Sequence, residues 1–353
     1  MKRVLVVLPN WYGEVLFATP FLKALHQQLP ADACLSTLGW PQCREVLLHN
    51  PHVDECLDYD EWGLHRGLGG KWSVVRQLRA KQFDTAFMLR RSRSRSFLLR
   101  VAGIPRRVGF DHPTSAWLLT HRVPAAKGTV HKALTYLPLL EAVGLAARPG
   151  PYEYSLSDEE RQAAAAWLRS KVALDARPLI VLHAGANWPH KRWAPERFAQ
   201  LADRFMEARQ VHVLVTGGPQ DIALAQSIAK QMHHPAVVLA GQTTLRQLAA
   251  CLAHAHLVVS NDTGVLHIAA ALQRPVVALY GPTLPRLTGP LGDPARIVVL
   301  HHPDCCPHIP CYSPDHPAHP GMNAITVDEA YAAACKLLQF GMRNAECGEG
   351  QKP

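Results

Sequence analysis

No run of about eighteen apolar residues occurs in the 353-residue chain, so it offers no candidate membrane-spanning helix. Gly-x-Gly-x-x-Gly is missing, which argues against a dinucleotide dehydrogenase. Gly-x-x-x-x-Gly-Lys-Ser/Thr is missing too, which argues against a P-loop ATPase. There is no Cys-x-x-Cys pair, and the nine cysteines are an odd number spread over a long chain, so a disulfide framework is not expected. No helix-turn-helix, RNA-binding aromatic signature or zinc finger is present, and nucleic acid is not an expected partner. A cleavable leader is not expected either. Met1-Lys2-Arg3 turns apolar as a signal peptide does, but the run stops at Leu8 and Glu14 follows without a cleavage site. The expectation is a cytoplasmic chain.

What is present is 48% hydrophobic and 18% charged sequence, enough for two domains with their own cores. The net charge of +9 implies an anionic partner. Its sharpest local expression is "LRRSRSRSFLLR", with Arg90, Arg91, Arg93, Arg95 and Arg100. This reads either as a solvated basic face or as the rim of a pocket for a phosphorylated or carboxylated substrate; the second reading is preferred. A second cluster, "HHPDCCPHIPCYSPDHPAH", packs Cys305, Cys306 and Cys311 among His301, His302, His308, His316 and His319. These are metal-ligand types without zinc spacing, so a Pro-rich surface loop is expected and no metal site is assigned.

The chain reads as the same grammar twice. Strand Arg3–Leu8 leads through the loop Pro9–Glu14 into a helix with Val15, Ala18, Leu22 and Leu25 on one face. Strand Cys34–Leu38, helix Gln42–His49, helix Trp72–Lys81 and strand Thr85–Leu89 follow. Around 146–178 the composition becomes loop-like, with a Ser157–Glu160 capping box opening a helix to about Lys171. The second half begins with strand Leu179–Leu182, the loop "HAGANWPHKRW" and a helix carrying Phe198, Leu201, Ala202 and Phe205. Strands Val211–Val215 and Val237–Leu239, each ending in a Gly turn, precede a last helix near Val327–Gln339. Alternation of this kind predicts an α/β fold of two doubly wound domains, residues 1–172 and 173–325, then a helix over 326–342 and a polar tail over 343–353. Ligands are expected at the carboxyl ends of the strands, in a cleft between the domains.

Within the second half, Leu257-Val258-Val259, the triplet Asp262-Thr263-Gly264, a helical run and strand Pro275–Tyr280 form a βαβ unit. Asp-Thr-Gly is also the aspartic-protease triplet, but that chemistry needs two facing copies. The only near-copy here is Asp84-Thr85-Ala86. A helix start at a strand end is an anion site, with Gly264 admitting the ligand and Thr263 adding a donor. Asp262 as a plain helix cap remains open on these residues alone.

"VLVVLPNWYGEVLFATPFLKAL", "HAGANWPHKRWAPERFAQLADRF" and "NDTGVLHIAAALQRPVVALYGPT" together resemble the bacterial ADP-heptose:lipopolysaccharide heptosyltransferases, over Lys2 to about Phe340. "AGIPRRVGF" and "HKALTYLPLLEAVG" extend the resemblance. It implies a GT-B glycosyltransferase with two Rossmann-like domains, the acceptor on the first and the nucleotide sugar on the second. It implies donor contacts at Asp262, Thr263 and Gly264, phosphate neutralisation by Lys191, and a catalytic carboxylate in a Gly-Asp pair of the first loop. Here that pair is Gly13-Glu14, a departure that adds a methylene and moves the carboxylate by about an ångström.

The expected site is therefore Glu14 as base, with Lys191, Thr216, Gly217, Gly218, Asp262, Thr263, Gly264 and His267 for the donor. Gly13, Arg91, Arg93 and Arg95 are expected to serve the acceptor. The expected partners are ADP-heptose and an anionic Kdo–lipid A type acceptor at the cytoplasmic face of the inner membrane, with no cofactor. His267 also reads as a packed helix histidine. Two alternatives stand: a GT-B transferase with another sugar or acceptor, and a binder of nucleotide sugars that does not catalyse transfer.

Overall fold

The computed structural model describes residues 1–125, 130–172, 177–306, 309–311 and 319–348, with side chains to 339. It divides into two compact units, residues 1–155 and 156–353. The helix Asp158–Val172, assigned above to the first domain, belongs to the second. Its reason is packing: Ala164 and Leu168 are buried, and the Arg246 guanidinium on the helix Leu245–Leu252 grips Glu160 through Nε at 2.7 Å and through Nη2. The Ser157–Glu160 capping box forms as expected, with Ser157 N–H donating to Glu160 at 2.9 Å.

The first unit holds strands β1 (Arg3–Val7), β2 (Cys34–Gly39), β3 (Glu55–Asp58), β4 (Thr85–Met88), β5 (Arg106–Phe110) and β6 (His121–Val123). They form one parallel sheet in the order β3-β2-β1-β4-β5-β6. The second unit holds β7 (Leu179–His183), β8 (His212–Thr216), β9 (Val237–Val238), β10 (Leu257–Asn261), β11 (Val276–Tyr280) and β12 (Ile297–His301). Their order is β12-β11-β10-β7-β8-β9, again parallel. Each sheet is covered on both faces by helices, so its central strands are buried along their whole length. Each fully buried Val, Leu or Phe there contributes about 1.5–3 kcal/mol against exposure.

Both sheets reverse direction once. In the first, the chain moves outward from β1 to β2 and β3, then returns to place β4 on the other side of β1. In the second, β7 is followed outward by β8 and β9, and β10 returns beside β7. Beyond the carboxyl ends of strands at such a reversal the crossover helices diverge, and a ligand can reach the backbone.

The expected helix Gln42–His49 is instead a 3-10 turn Pro41–Cys43 and a short helix Arg44–Leu47. It stops because Leu48 is extended and His49 takes a left-handed φ of 62°. The helix expected from Trp72 starts at Leu68, and runs through Gly69 and Gly70 to Ala80.

Candidate functional site

In the second unit the site residues gather where β7 and β10 lie side by side. The loop after β7 carries Lys191 in a 3-10 turn, and β10 ends in Asn261 with Asp262 directly after it. Lys191 Nζ donates to Asp262 Oδ2 at 2.6 Å, and Thr283 Oγ1, past the end of β11, donates to the same oxygen at 2.7 Å. His267 Nε2 lies 3.8 Å from Asp262 Oδ1. Asp262 is thus no helix cap. The cap of the helix Gly264–Ala271 is Thr263, whose side chain makes no capping bond and sits 3.5 Å from Ser260 Oγ. The first-turn N–H groups and the helix dipole are left for a ligand anion.

Burial alone would raise the pKa of Asp262. The Lys191 ammonium, His267 and the hydrogen bonds from Lys191 and Thr283 outweigh it and hold the carboxyl below the usual range. The carboxylate therefore stays charged and fixes Lys191, whose ammonium keeps further N–H donors for a phosphate. Trp188 flanks it, with Nζ 5.5 Å from the ring centroid.

Asn261 holds the loop in place. Its Nδ2 donates to Ala184 O at 2.8 Å, and its Oδ1 accepts from Trp193 N–H at 3.1 Å. Asp221 does the same for the neighbouring turn, accepting from Gly218 N–H at 3.1 Å and pairing with Arg192 at 3.4 Å. A Cβ on Gly185 would come within 2.3 Å of the Asp221 carboxylate, and one on Gly217 within 2.7 Å of Asp221 Cβ. Glycine is needed at both because side chain meets backbone there.

Two expected donor contacts need correction. Thr216 is buried with its hydroxyl on His183 Nδ1 at 3.0 Å and Leu182 O at 3.3 Å, and the Gly218 N–H is taken by Asp221. Their part is to shape the turn with Gly217. Asn261, Thr283, Arg192 and Asp221 were not anticipated. The signals were visible as Asn beside Asp-Thr-Gly, Thr after Gly-Pro, and Asp after a Gly-Gly-Pro turn. Nothing in the sequence said what they would face.

In the first unit Gly13 and Glu14 open the helix Tyr12–His26 directly after β1. Among the described residues no hydrogen bond or ion pair engages the half-buried Glu14 carboxylate. Its charge is felt at two groups: with burial as the larger cause, it raises the pKa of the Tyr136 hydroxyl. The Cys43 thiol is pushed to about 11 by burial, lowered by Arg95 and raised by Glu14.

The arginine run follows β4 and opens the helix Arg93–Val101, which Ser92 caps. Arg91 and Arg93 are exposed, without an ion-pair partner among the described residues. Arg95 is a correction. It is 1% exposed and donates to Leu8 O at 2.9 Å, Asn10 Oδ1 at 2.7 Å and Glu61 Oε1 at 3.1 Å. It braces the loop leading to Glu14 and does not face an acceptor.

Asp84, the near-copy of the triplet, accepts from the N–H groups of Lys2 and Arg3 at 2.6 and 2.9 Å, a structural use. Of the Cys/His cluster, His308 and His316 lie outside the described residues. Among those described, no three His, Cys, Asp or Glu side chains converge as a metal site.

Two doubly wound domains, each presenting polar residues at its reversal point, are the build of a GT-B glycosyltransferase. Residues 71–314 match the model of glycosyltransferase family 9 (heptosyltransferase), more than half of the chain, and the chain belongs to that family. It is 29% identical over 311 residues to lipooligosaccharide heptosyltransferase 2 of Haemophilus ducreyi, covering 84% of this chain and 88% of that one. Lipopolysaccharide heptosyltransferase 2 of Escherichia coli is 28% identical over 312 residues, with the same coverage. Among solved structures, the E. coli ADP-heptose lps heptosyltransferase II superposes with a TM-score of 0.80 at 25% identity, over 96% of this chain and 99% of that one. The family 9 glycosyltransferase of Veillonella parvula gives 0.85 at 28%, over 96% and 97%. The chain is an enzyme, a heptosyltransferase.

Proposed function

We propose that this heptosyltransferase moves a heptose from ADP-L-glycero-D-manno-heptose to an anionic lipopolysaccharide inner-core acceptor of the Kdo–lipid A type, at the cytoplasmic face of the inner membrane. The observation that carries the donor half is the Lys191–Asp262 pair at the β7/β10 reversal, beside the start of the helix Gly264–Ala271. A diphosphate finds an ammonium and oriented N–H groups there. The named substrates of the E. coli and Haemophilus relatives support the choice of sugar and acceptor class.

Glu14 takes the proton of the acceptor hydroxyl as its oxygen attacks the anomeric carbon. The bond from that carbon to the diphosphate oxygen breaks with inversion, and ADP carries the electron pair away. Lys191 and the helix start counter the charge that develops on the leaving group. Asp262 positions Lys191; His267 and Thr283 hold Asp262 in turn. Arg91 and Arg93 meet the acceptor's anionic groups. With positive charge supplied by the protein, activity is expected to persist in EDTA.

The direct test is incubation with ADP-heptose and other nucleotide sugars, with nucleotide release scored with and without Kdo–lipid A. Release that needs both ADP-heptose and acceptor supports the reading; acceptor-dependent release from a different nucleotide sugar replaces the donor. A second reading rests on the Gly13-Glu14 pair, which also suits transfer to a different acceptor. Nucleotide release that needs another acceptor, with none on Kdo–lipid A, establishes that instead.

A further inference from the structure

Four large apolar side chains stand in water over eleven consecutive residues of the first unit. Trp62 is 72% exposed, Leu64 84%, Leu68 88% and Trp72 48%. They are not on a loose loop. The Asp60 carboxylate accepts the N–H groups of Trp62, Gly63 and Leu64 at 2.8–3.3 Å, and Asp60 N–H donates to His65 Nδ1 at 2.9 Å. That turn points two apolar side chains outward from beyond the end of β3. Leu68 opens the helix Leu68–Ala80, and Trp72 follows at i+4 on the same face, while Val74, Val75 and Leu78 take the buried face. Farther along the exposed side the Arg79 guanidinium lies 5.2 Å from the Trp72 ring centroid.

The surrounding charge is predominantly positive: Asp60 is engaged in its own turn and Glu61 is paired with Arg95. Residues 62–110 hold twelve Lys and Arg and a single carboxylate, Asp84. Asp84 is occupied by the N–H groups of Lys2 and Arg3, beside the start of β1 and so at the opposite end of the strands. Arg66 and Lys71 lie between the apolar side chains themselves, and Arg90, Arg91 and Arg93 follow β4 at the same carboxyl edge of the sheet. Trp and Leu interleaved with Arg and Lys match the boundary of an anionic bilayer, with apolar parts in the acyl region and cations at the headgroups. A second copy would set these cations against their own kind. A nucleic acid would satisfy the charge but gives Leu64 and Leu68 nothing apolar to enter.

We propose that the Trp62–Trp72 edge of the first unit docks on an anionic phospholipid bilayer. The inference rests on the proposed lipid-borne acceptor for its purpose, though not for its chemistry: the bilayer alone is the ligand. Docking there brings the carboxyl edge that carries Glu14, Arg91 and Arg93 to the membrane surface.

The test is sedimentation of the full chain with phosphatidylcholine vesicles, with and without phosphatidylglycerol, and with no acceptor glycolipid present. Binding is expected only with the anionic lipid, with a blue shift of tryptophan emission and a loss in high salt. The triple variant Trp62→Ser, Leu64→Ser, Leu68→Ser is expected to weaken vesicle binding at least tenfold. Its ADP affinity and thermal unfolding should stay at wild-type values, since all three side chains are exposed. Arg66→Gln with Lys71→Gln is expected to weaken binding and flatten its salt dependence. Equal vesicle binding by wild type and triple variant overturns the proposal. So does a lipid-free dimer, seen by sedimentation velocity, that the triple variant dissolves. Because the vesicles hold no acceptor, failure here leaves the transferase reading standing, and failure of transfer leaves docking standing.

Discussion

Arg93 and Arg95 are two residues apart and have opposite surroundings. Ser92 caps the helix that both enter, and two helical steps turn one guanidinium to water and the other inward beneath the first loop. The sequence marks both as arginine in a basic run; only the strand-and-loop geometry tells which is buried. Arg95→Gln is expected to lower unfolding free energy by about 3–5 kcal/mol, because it leaves Glu61 and the Leu8 carbonyl without their cation. Chemical denaturation checks this, and a variant as stable as wild type removes Arg95 from its bracing role. Glu14 is the converse case: it opens the helix after β1 as expected, and its part as base is a proposal that substitution tests. Glu14→Gln is expected to keep ADP affinity and lose about 10²–10⁴ in kcat, the worth of a positioned base. Glu14→Asp separates two histories: a site shaped around glutamate loses activity, whereas a site degraded from the family pattern gains it. Turnover unchanged in Glu14→Gln takes the residue out of the mechanism.

Burial helped but did not decide which elements were legible: half-buried β9 was read, and β12, Ile-Val-Val-Leu-His, was missed although apolar. β1, β7, β10 and β11 are apolar runs buried on both faces, and the sequence displays them as such. The strands β3, β5, β6 and β12 were not anticipated. Glu-Cys-Leu-Asp, Arg-Arg-Val-Gly-Phe and His-Arg-Val mix charge with few apolar residues, as outer strands with a wet side can. Strand ends held the other surprise, since His183 closes β7 wholly inside the protein. Burial pushes its pKa down to about 4, against a weaker upward pull from Asp221. The folded state thus refuses a proton that the unfolded chain accepts from about 6.5 downward, so stability falls as pH drops from 6.5 to 4. At 1.36 kcal/mol per unit the loss reaches about 3 kcal/mol. Asp262 works in the same direction at lower pH: its depressed pKa gives stability that is present above the ordinary carboxylate range and lost on acidification through the folded value. Urea titrations over this range are expected to show the slope, and His183→Gln, which can still bond Thr216, should flatten it between 6.5 and 4. An unchanged slope in that variant assigns it to other groups.

At the scale of the whole molecule, tandem α/β grammar was readable, and so was the linker region in which the domains divide. The side taken by Asp158–Val172 was not, because an amphipathic helix after a loop can pack on either neighbour; Glu160 and Arg246 decide it only once folded. Charge distribution was readable in kind. Of the cations in residues 62–110, Arg90, Arg91 and Arg93 follow β4 at the carboxyl edge where Glu14 follows β1, and give that edge a positive field. Arg91→Gln with Arg93→Gln is therefore expected to raise the acceptor KM severalfold while the donor KM and thermal stability stay near wild type. Both side chains are exposed, so their field is screened over about 10 Å at 0.1 M salt, and added salt should raise the wild-type acceptor KM toward that of the variant. In the variant the salt response should shrink, since the charges it screens are gone. An equal rise in donor KM would place these arginines at the nucleotide sugar instead, and a salt response undiminished in the variant would move acceptor attraction to other cations, Arg66 and Lys71 first among them.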